Sequence, residues 1–295
     1  MKKDRIKYFV LTLLTLCSVS IYAQIDDGTY KYVDSDKPIN GKIKCYYANK
    51  QLAEEATLVN GVKNGNNKGY YSDGTLKHDK TYKNGVLNGT VTKYYEDGKI
   101  AAIDTYVNGY EDGISKTYDI KGSLIIEASY KGGLLNGISK DYSKGKLVLK
   151  QTYIQDKLDG ETISYYLNGK VKSRAIYKND LKDGPLIKYS SSGSTLDTSN
   201  YVKGKREGQR IVKDSKGNMV KDIYYKNGLI DGEYRQYVTG DVYLRRIFKN
   251  GVEQGNPTIH NYKGKLIDQT DIIYRSVYEP LVIEAINNFD PKEDE

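Results

Sequence analysis

Residues able to do chemistry are few in this 295-residue chain, and they are scattered. Histidine and cysteine are the side chains that carry protons, attack carbonyls or ligate soft metals near neutral pH. Only His78, His260, Cys17 and Cys45 supply them. His260 stands where the surrounding pattern places tyrosine, so it reads as an aromatic substitute. Cys45 has no histidine in its own repeat and reads as a packing residue. Asp34, Asp36 and Asn40 are oxygen ligands by type, but their spacing is not that of a calcium-binding loop. Asp159 and Glu161 read as solvated loop acids. The chain has no strand-embedded nucleophile motif, no metal-spaced histidine or cysteine cluster and no phosphate loop. The expectation is a protein that is not an enzyme, with no metal and no cofactor.

Binding chemistry is better represented. Lys44, Lys68, Lys116 and Lys140 each stand two residues before a tyrosine, namely Tyr46, Tyr70, Tyr118 and Tyr142. Tyr94 belongs to the same tyrosine column, and isoleucine takes the lysine place later, at Ile163, Ile187 and Ile211. A row of ammonium groups among aromatic rings suits an anionic glycan, a lipid head group or an acidic protein. The plainer reading is that the lysine stems lie over the rings and leave their charge in water. The formal charge is +8, of which +3 falls in the first 23 residues and +5 in the remainder. That excess permits an anionic partner and is too small to argue for specific nucleic-acid binding.

These columns exist because the chain repeats. With the second glycine of each xNGxxxG as anchor, the anchors are Gly41, Gly65, Gly89, Gly113, Gly137, Gly160, Gly184, Gly208, Gly232 and Gly255, spaced by 24 residues, twice by 23. A fixed period of this length marks an array of small supersecondary units. The first tyrosine column lies five residues past the anchor. A second lies near seventeen, in Tyr82, Tyr106, Tyr130, Tyr153, Tyr177, Tyr201 and Tyr225. Between them run a second glycine column (Gly74, Gly98, Gly122) and, two residues further on, an aliphatic such as Leu76, Ile100 or Leu124.

Each repeat reads as strand, tight turn, strand, wider turn. Asp73-Gly74, Asp97-Gly98 and Asn168-Gly169 are dipeptides suited to tight hairpins with both residues at positive φ. Asn60-Gly61, Asn84-Gly85 and Asn108-Gly109 mark the wider turn, with Asp156 and Asp180 standing in where glycine is missing. Counted from the anchor, both tyrosines and the aliphatic are odd, so strand alternation puts all three rows and the lysines on one face. Equivalent tyrosines are then expected to stack in ladders along the sheet.

With no Trp, 3 Phe and 30 Tyr, tyrosine must do much of the packing. The fold class expected is all-β: an elongated single antiparallel sheet of about ten 24-residue β-hairpin repeats over residues 41–275. Residues 276–295 read as a short C-terminal helical cap, from Pro280, with an acidic tail. Residues 24–40 read as an N-terminal cap with a lead-in strand over Gly28 to Val33. Residues 1–23 have the three parts of a signal peptide: Lys2 to Lys7, an apolar run from Tyr8 to Ser20, and cleavage near Ala23-Gln24. Leu16 is bulky where a lipoprotein signal at Cys17 wants a small residue, and about 13 apolar residues are short for a membrane span. Export is therefore expected, to a periplasmic, surface or extracellular location. No transmembrane segment is expected after cleavage.

Tyr82-Lys83-Asn84-Gly85 through Gly89, Tyr94, Gly98 and Ile100 resemble the MORN-type repeat, in the variant seen in bacterial YwqK-family antitoxin-like proteins. The resemblance implies an elongated antiparallel sheet of successive hairpins. It also implies scaffold or binding functions, toward proteins and for some relatives toward membrane lipids, and it implies no catalysis. The leading expectation is an exported scaffold engaging a protein or anionic surface polymer. The alternative is an antitoxin- or immunity-like protein acting outside the cytoplasm.

Overall fold

The structure is a computed structural model that describes residues 9–11, 21–26, 29–32, 37–239 and 242–267. The helix expected within 276–295 lies outside the described residues. Among them every regular element is a β-strand and every pairing is antiparallel. Two compact units meet in sequence at Gly145 and Lys146. Phe9–Leu11 pairs with Ile21–Asp26, which pairs in turn with Thr29–Tyr32. Within each unit, strands from Gly41 onward pair with strands next to them in sequence, as a chain of hairpins must.

The repeat from Gly89 shows how the residues build this pattern. Val86–Tyr94 and Ile100–Val107 pair with Gly89 opposite Tyr106 and Tyr94 opposite Ile100. The two turn types are exchanged relative to expectation. Asn84 and Gly85 have φ of 50° and 82° and join Lys83 directly to Val86, so Asn-Gly forms the two-residue turn. That geometry needs two positive φ values, which Asn and Gly tolerate together. Asp156 and Asp180 do take the glycine place, at φ 66° and 68°. The Asp-Gly turn is the wider one. At Asp97-Gly98 only the glycine is left-handed, at φ 80°. The Asp97 carboxylate accepts the Lys99 N–H at 3.0 Å, and the Gly98 N–H donates to Tyr95 O at 2.9 Å. Aspartate serves there as a side-chain turn former rather than as a left-handed residue.

The anchor glycine is not in a turn at all. Leu87 faces Tyr82 and Val91 faces Lys80, so Asn88, Gly89 and Thr90 stand opposite Thr81 alone. Gly89 is the centre of a β-bulge, with φ 124°. A β-carbon at Gly89 would lie 3.0 Å from Thr81 Cβ, so both conformation and space demand glycine.

Register also corrects the faces. Gly89, Val91 and Lys93 lie opposite Tyr106, Asp104 and Ala102, and opposed residues share a face. The tyrosines near seventeen therefore stand with the even positions of the first strand. The register shifts between Lys93 and Tyr94, where Ala101 is an extra residue, and that shift breaks the parity count. Lysines at three and tyrosines at five occupy the opposite face. Tyrosine ladders are likewise replaced by mixed rows. Equivalent residues recur every second strand, so Tyr82 faces Leu87, Tyr130 faces Leu135 and Tyr153 faces Leu158. Where the intervening residue is basic it lies over a ring: Lys63 is 5.5 Å from Tyr82 and Lys182 is 4.9 Å from Tyr201.

The face bearing the seventeenth-position tyrosines is the packed one. Ile39, Ile43, Ala56 and Leu58 cluster on it, with Cys45 against them. In the second unit Ile223, Tyr225, Ile230, Tyr234 and Phe248 form its main cluster, and Tyr234 and Phe248 lie 6.1 Å apart. Val242, Leu244 and Ile259 form another.

Two sets of side-chain bonds join successive repeats along the edges. At the Asp-Gly edge, Tyr47, Tyr71, Tyr95 and Tyr166 donate their hydroxyls to the carbonyls of Tyr70, Tyr94, Tyr118 and Tyr189, at 2.6 to 2.8 Å. At the Asn-Gly edge the residue before the anchor accepts a turn N–H from the following hairpin end, as Asn40 does from Asn60 at 2.7 Å and Asp231 from Asn250 at 3.0 Å. Each such bond contributes about 0.5 to 1.5 kcal/mol. Because they span neighbouring hairpins, they make each unit cooperate beyond its ladder bonds.

Candidate binding face

The face opposite the packed one carries the lysine and tyrosine columns, and its central row can be followed strand by strand. In the first unit it runs Lys44, Glu55, Lys68, Asp79, Thr92, Ile103, Lys116, Glu127 and Lys140, each directly opposite the next. Four lysines expected to form a free cationic row are thus interleaved with acids. Lys44 is 4.0 Å from Glu55, Lys68 is 3.8 Å from Asp79 and Lys116 is 3.8 Å from Glu127. Lys140 is closest, with Nζ 2.8 Å from Glu127 Oε1. That hydrogen bond holds the Glu127 carboxyl below its ordinary range and raises the Lys140 ammonium. These acids are legible in the 24-residue period, fourteen residues past the anchor, but their pairing with lysine needs the register.

Tyr46, Tyr70, Tyr94, Tyr118 and Tyr142 end the same strands beside this row. Tyr46 is exposed and the other four are half-buried. Opposite them stand the aliphatics Leu52, Leu76, Ile100 and Leu124, which pair with Tyr46, Tyr70, Tyr94 and Tyr118. The structure therefore brings the first-column tyrosines and the lysines together and separates both from the second tyrosine column.

Near the first repeats this face has a depression of about 240 Å³, lined by Lys42, Glu55, Thr57, Asn66, Lys68 and Tyr70. Lys68 and Tyr70 are candidate residues, whereas Lys42, Thr57 and Asn66 carry no regular signal across the repeats.

The residues with catalytic chemistry are placed apart from it. His260 stacks on Tyr243 with ring centroids 5.5 Å apart and planes at 15°, as the aromatic it replaces would. Its Nε2 is 2.9 Å from Thr258 Oγ1. His78 lies on the packed face over Gly69, where an added β-carbon would fall 2.2 Å from the ring. Burial, with Lys80 next to it, lowers the His78 imidazole to about 4, so it is neutral near pH 7. Burial and then Glu54 push the Cys45 thiol up to about 11 and leave it a poor nucleophile. Glu161 pairs with Arg174 at 3.0 Å, and Asp159 accepts the Asn179 N–H at 3.3 Å, so both are structural contacts rather than loop solvation. Among the described residues no cluster of three or more metal-ligating side chains occurs, and Asp34 and Asp36 lie outside them.

Among the described residues no helix is long and apolar enough to cross a membrane. No curated protein matches the chain. Residues 39–60, 63–84, 87–108 and 158–179 match a family model described as a MORN repeat variant. Each matched segment starts two residues before an anchor glycine and ends on the first residue of a two-residue turn. In those four segments, the chain is similar to MORN repeats, and the hairpin with its bulge is the unit they share.

Proposed function

We propose that this protein is an exported, non-enzymatic repeat scaffold that engages a protein or anionic surface polymer through the face bearing the lysine and first tyrosine columns. The observation that carries this reading is the placement of the apolar clusters. All three lie on the packed face, which leaves the lysine and tyrosine columns to meet a partner. Half-buried rings with exposed lysine ends suit a broad, polar contact.

Support for a non-enzymatic role comes from the chemistry of the candidates. The half-buried thiol is held protonated, one imidazole stacks on a tyrosine, and the other covers a glycine. Export rests on the three-part character of residues 1–23.

A pull-down with the secreted chain, followed by mass spectrometry of bound protein and sugar analysis of bound polymer, tests the reading. Envelope proteins or polymers lost on replacing Lys44, Lys68, Lys116 and Lys140 by serine are expected. One stoichiometric toxin-like partner would favour the immunity reading instead, and unchanged capture by the serine variant would place binding off this face.

A further inference from the structure

The depression on the lysine face has a chemistry that its neighbours lack. Lys42 makes no ion pair among the described residues, and Lys68 reaches Asp79 only at 3.8 Å. That distance is beyond a hydrogen bond, so Lys68 is loosely held, unlike Lys140 on Glu127 at 2.8 Å. Glu55, shared between Lys44 and Lys68 in the row, adds a carboxylate to the same wall. Thr57 and Asn66 add a hydroxyl and an amide, and Tyr70 adds an aromatic ring.

We propose that this depression is a subsite for one anionic sugar residue of the uronic acid type. This identification rests on the surface-polymer form of the scaffold reading. The sugar carboxylate would take the ammonium groups of Lys42, which has no ion pair among the described residues, and of Lys68, whose acid partner lies beyond hydrogen-bond distance. Its hydroxyls donate to Glu55 and exchange hydrogen bonds with Asn66 and Thr57. The apolar side of the pyranose ring lies against Tyr70. A volume of about 240 Å³ suits one ring and is below the usual size of a drug-like pocket.

The same wall disfavours an acidic peptide. A glutamate side chain satisfies the lysines but carries no hydroxyls beside its carboxylate to donate to Glu55 or to bond Thr57 and Asn66. One repeat further on, the equivalents of Lys42, Asn66 and Lys68 are Asn66, Thr90 and Thr92, which are uncharged. Those positions offer no ammonium group, so the subsite belongs to the first repeats.

The test is calorimetric titration of the full chain at low salt with oligogalacturonate, with the same oligomer as its methyl ester, and with oligoglutamate. The acid oligomer is expected to bind, and the neutral ester and oligoglutamate to bind about tenfold more weakly or not at all. Lys42→Ala combined with Asn66→Ala, both exposed, is expected to weaken the acid oligomer about tenfold while Lys216→Ala, in an exposed turn of the second unit, does not. A thermal melt of each variant checks its fold. Equal binding of oligoglutamate would overturn the sugar assignment in favour of an acidic protein. Unchanged affinity in the double variant would overturn the location. No binding of the acid oligomer would overturn the subsite while leaving the scaffold reading to the pull-down.

Discussion

The two units place different chemistry on the same backbone positions. In residues 44–140 the central row of the lysine face alternates lysine and acid, with one break at Thr92 and Ile103. In residues 150–211 the corresponding row is Lys150, Ile163, Arg174, Ile187, Thr198 and Ile211. Arg174 has no acid opposite it and reaches diagonally to Glu161. The packed faces differ in the same sense. Around the first unit's cluster of Ile39, Ile43, Ala56 and Leu58 stand Glu54, Lys63, Asn67, His78 and Lys80. The second unit instead sets a cluster of Ile223, Tyr225, Ile230, Tyr234 and Phe248 beside Arg246 and the Asp197–Arg210 pair. A bulged hairpin therefore fixes which positions are neighbours and leaves open whether charge or apolar area joins them. Since an exposed ion pair contributes only about 0.2 to 1 kcal/mol, the second unit should hold the larger single-residue contributions.

The largest expected effect breaks the apolar side of this contrast. Tyr234→Ala removes a fully buried ring packed on Phe248 and should cost about 3 to 5 kcal/mol in denaturant titration. A cost below 1 kcal/mol would remove the second unit's cluster as its main support. Next, Ile163→Ala should cost about 2 to 3 kcal/mol, because the side chain is 5% exposed. Lys68→Ala, at the equivalent place in the first unit, should stay under about 1 kcal/mol. Equal losses would mean that the row's chemistry does not decide its energetics.

His78 gives the first unit a pH dependence. Its folded value is about 4 against an ordinary 6.5, so the unfolded chain binds more protons between those values. Stability should therefore rise with pH across that window and be complete above 6.5. Melting temperatures measured from pH 6.5 to 5 should fall in the wild type and stay level for His78→Gln. The same fall in both would assign the dependence elsewhere.

Tyr95→Phe deletes the hydroxyl that bonds Tyr118 O and should cost about 0.5 to 1.5 kcal/mol. The repeat at Ser190 needs no such substitution, because Ser190 Oγ accepts its own turn's Ser194 N–H at 3.0 Å instead. The smallest effect is Lys140→Ala, at about 0.2 to 1 kcal/mol. Glu127 is held below its ordinary 4.5 by Lys140, so this contribution is present above that pH and lost as pH falls below it. High salt should shrink it, and a salt-independent loss would point to packing of the lysine stem.

The legible part of this protein was its punctuation. Asn84-Gly85 and Asp97-Gly98 announce turns because few residues accept those backbone angles, although which turn is tighter depended on the pairing around them. Tyr95 was illegible as an inter-repeat strap, since it reads as half of a tyrosine pair until Tyr118 O is placed above its hydroxyl. Nothing in the order of residues marks Glu55 and Glu127 as lysine partners; register sets them opposite Lys44 and Lys140. Lys42, Thr57 and Asn66 meet only because a bulge opposite Thr57 offsets two strands.

By itself the amino-acid order determined the period, the strands and the bends, because glycine and asparagine preferences act within a few residues. Tertiary structure alone decided the faces. Strand parity is counted along the chain, but the bulge at Gly89 and the register shift at Tyr94 move it by one, and one residue is the difference between the two sides of a sheet.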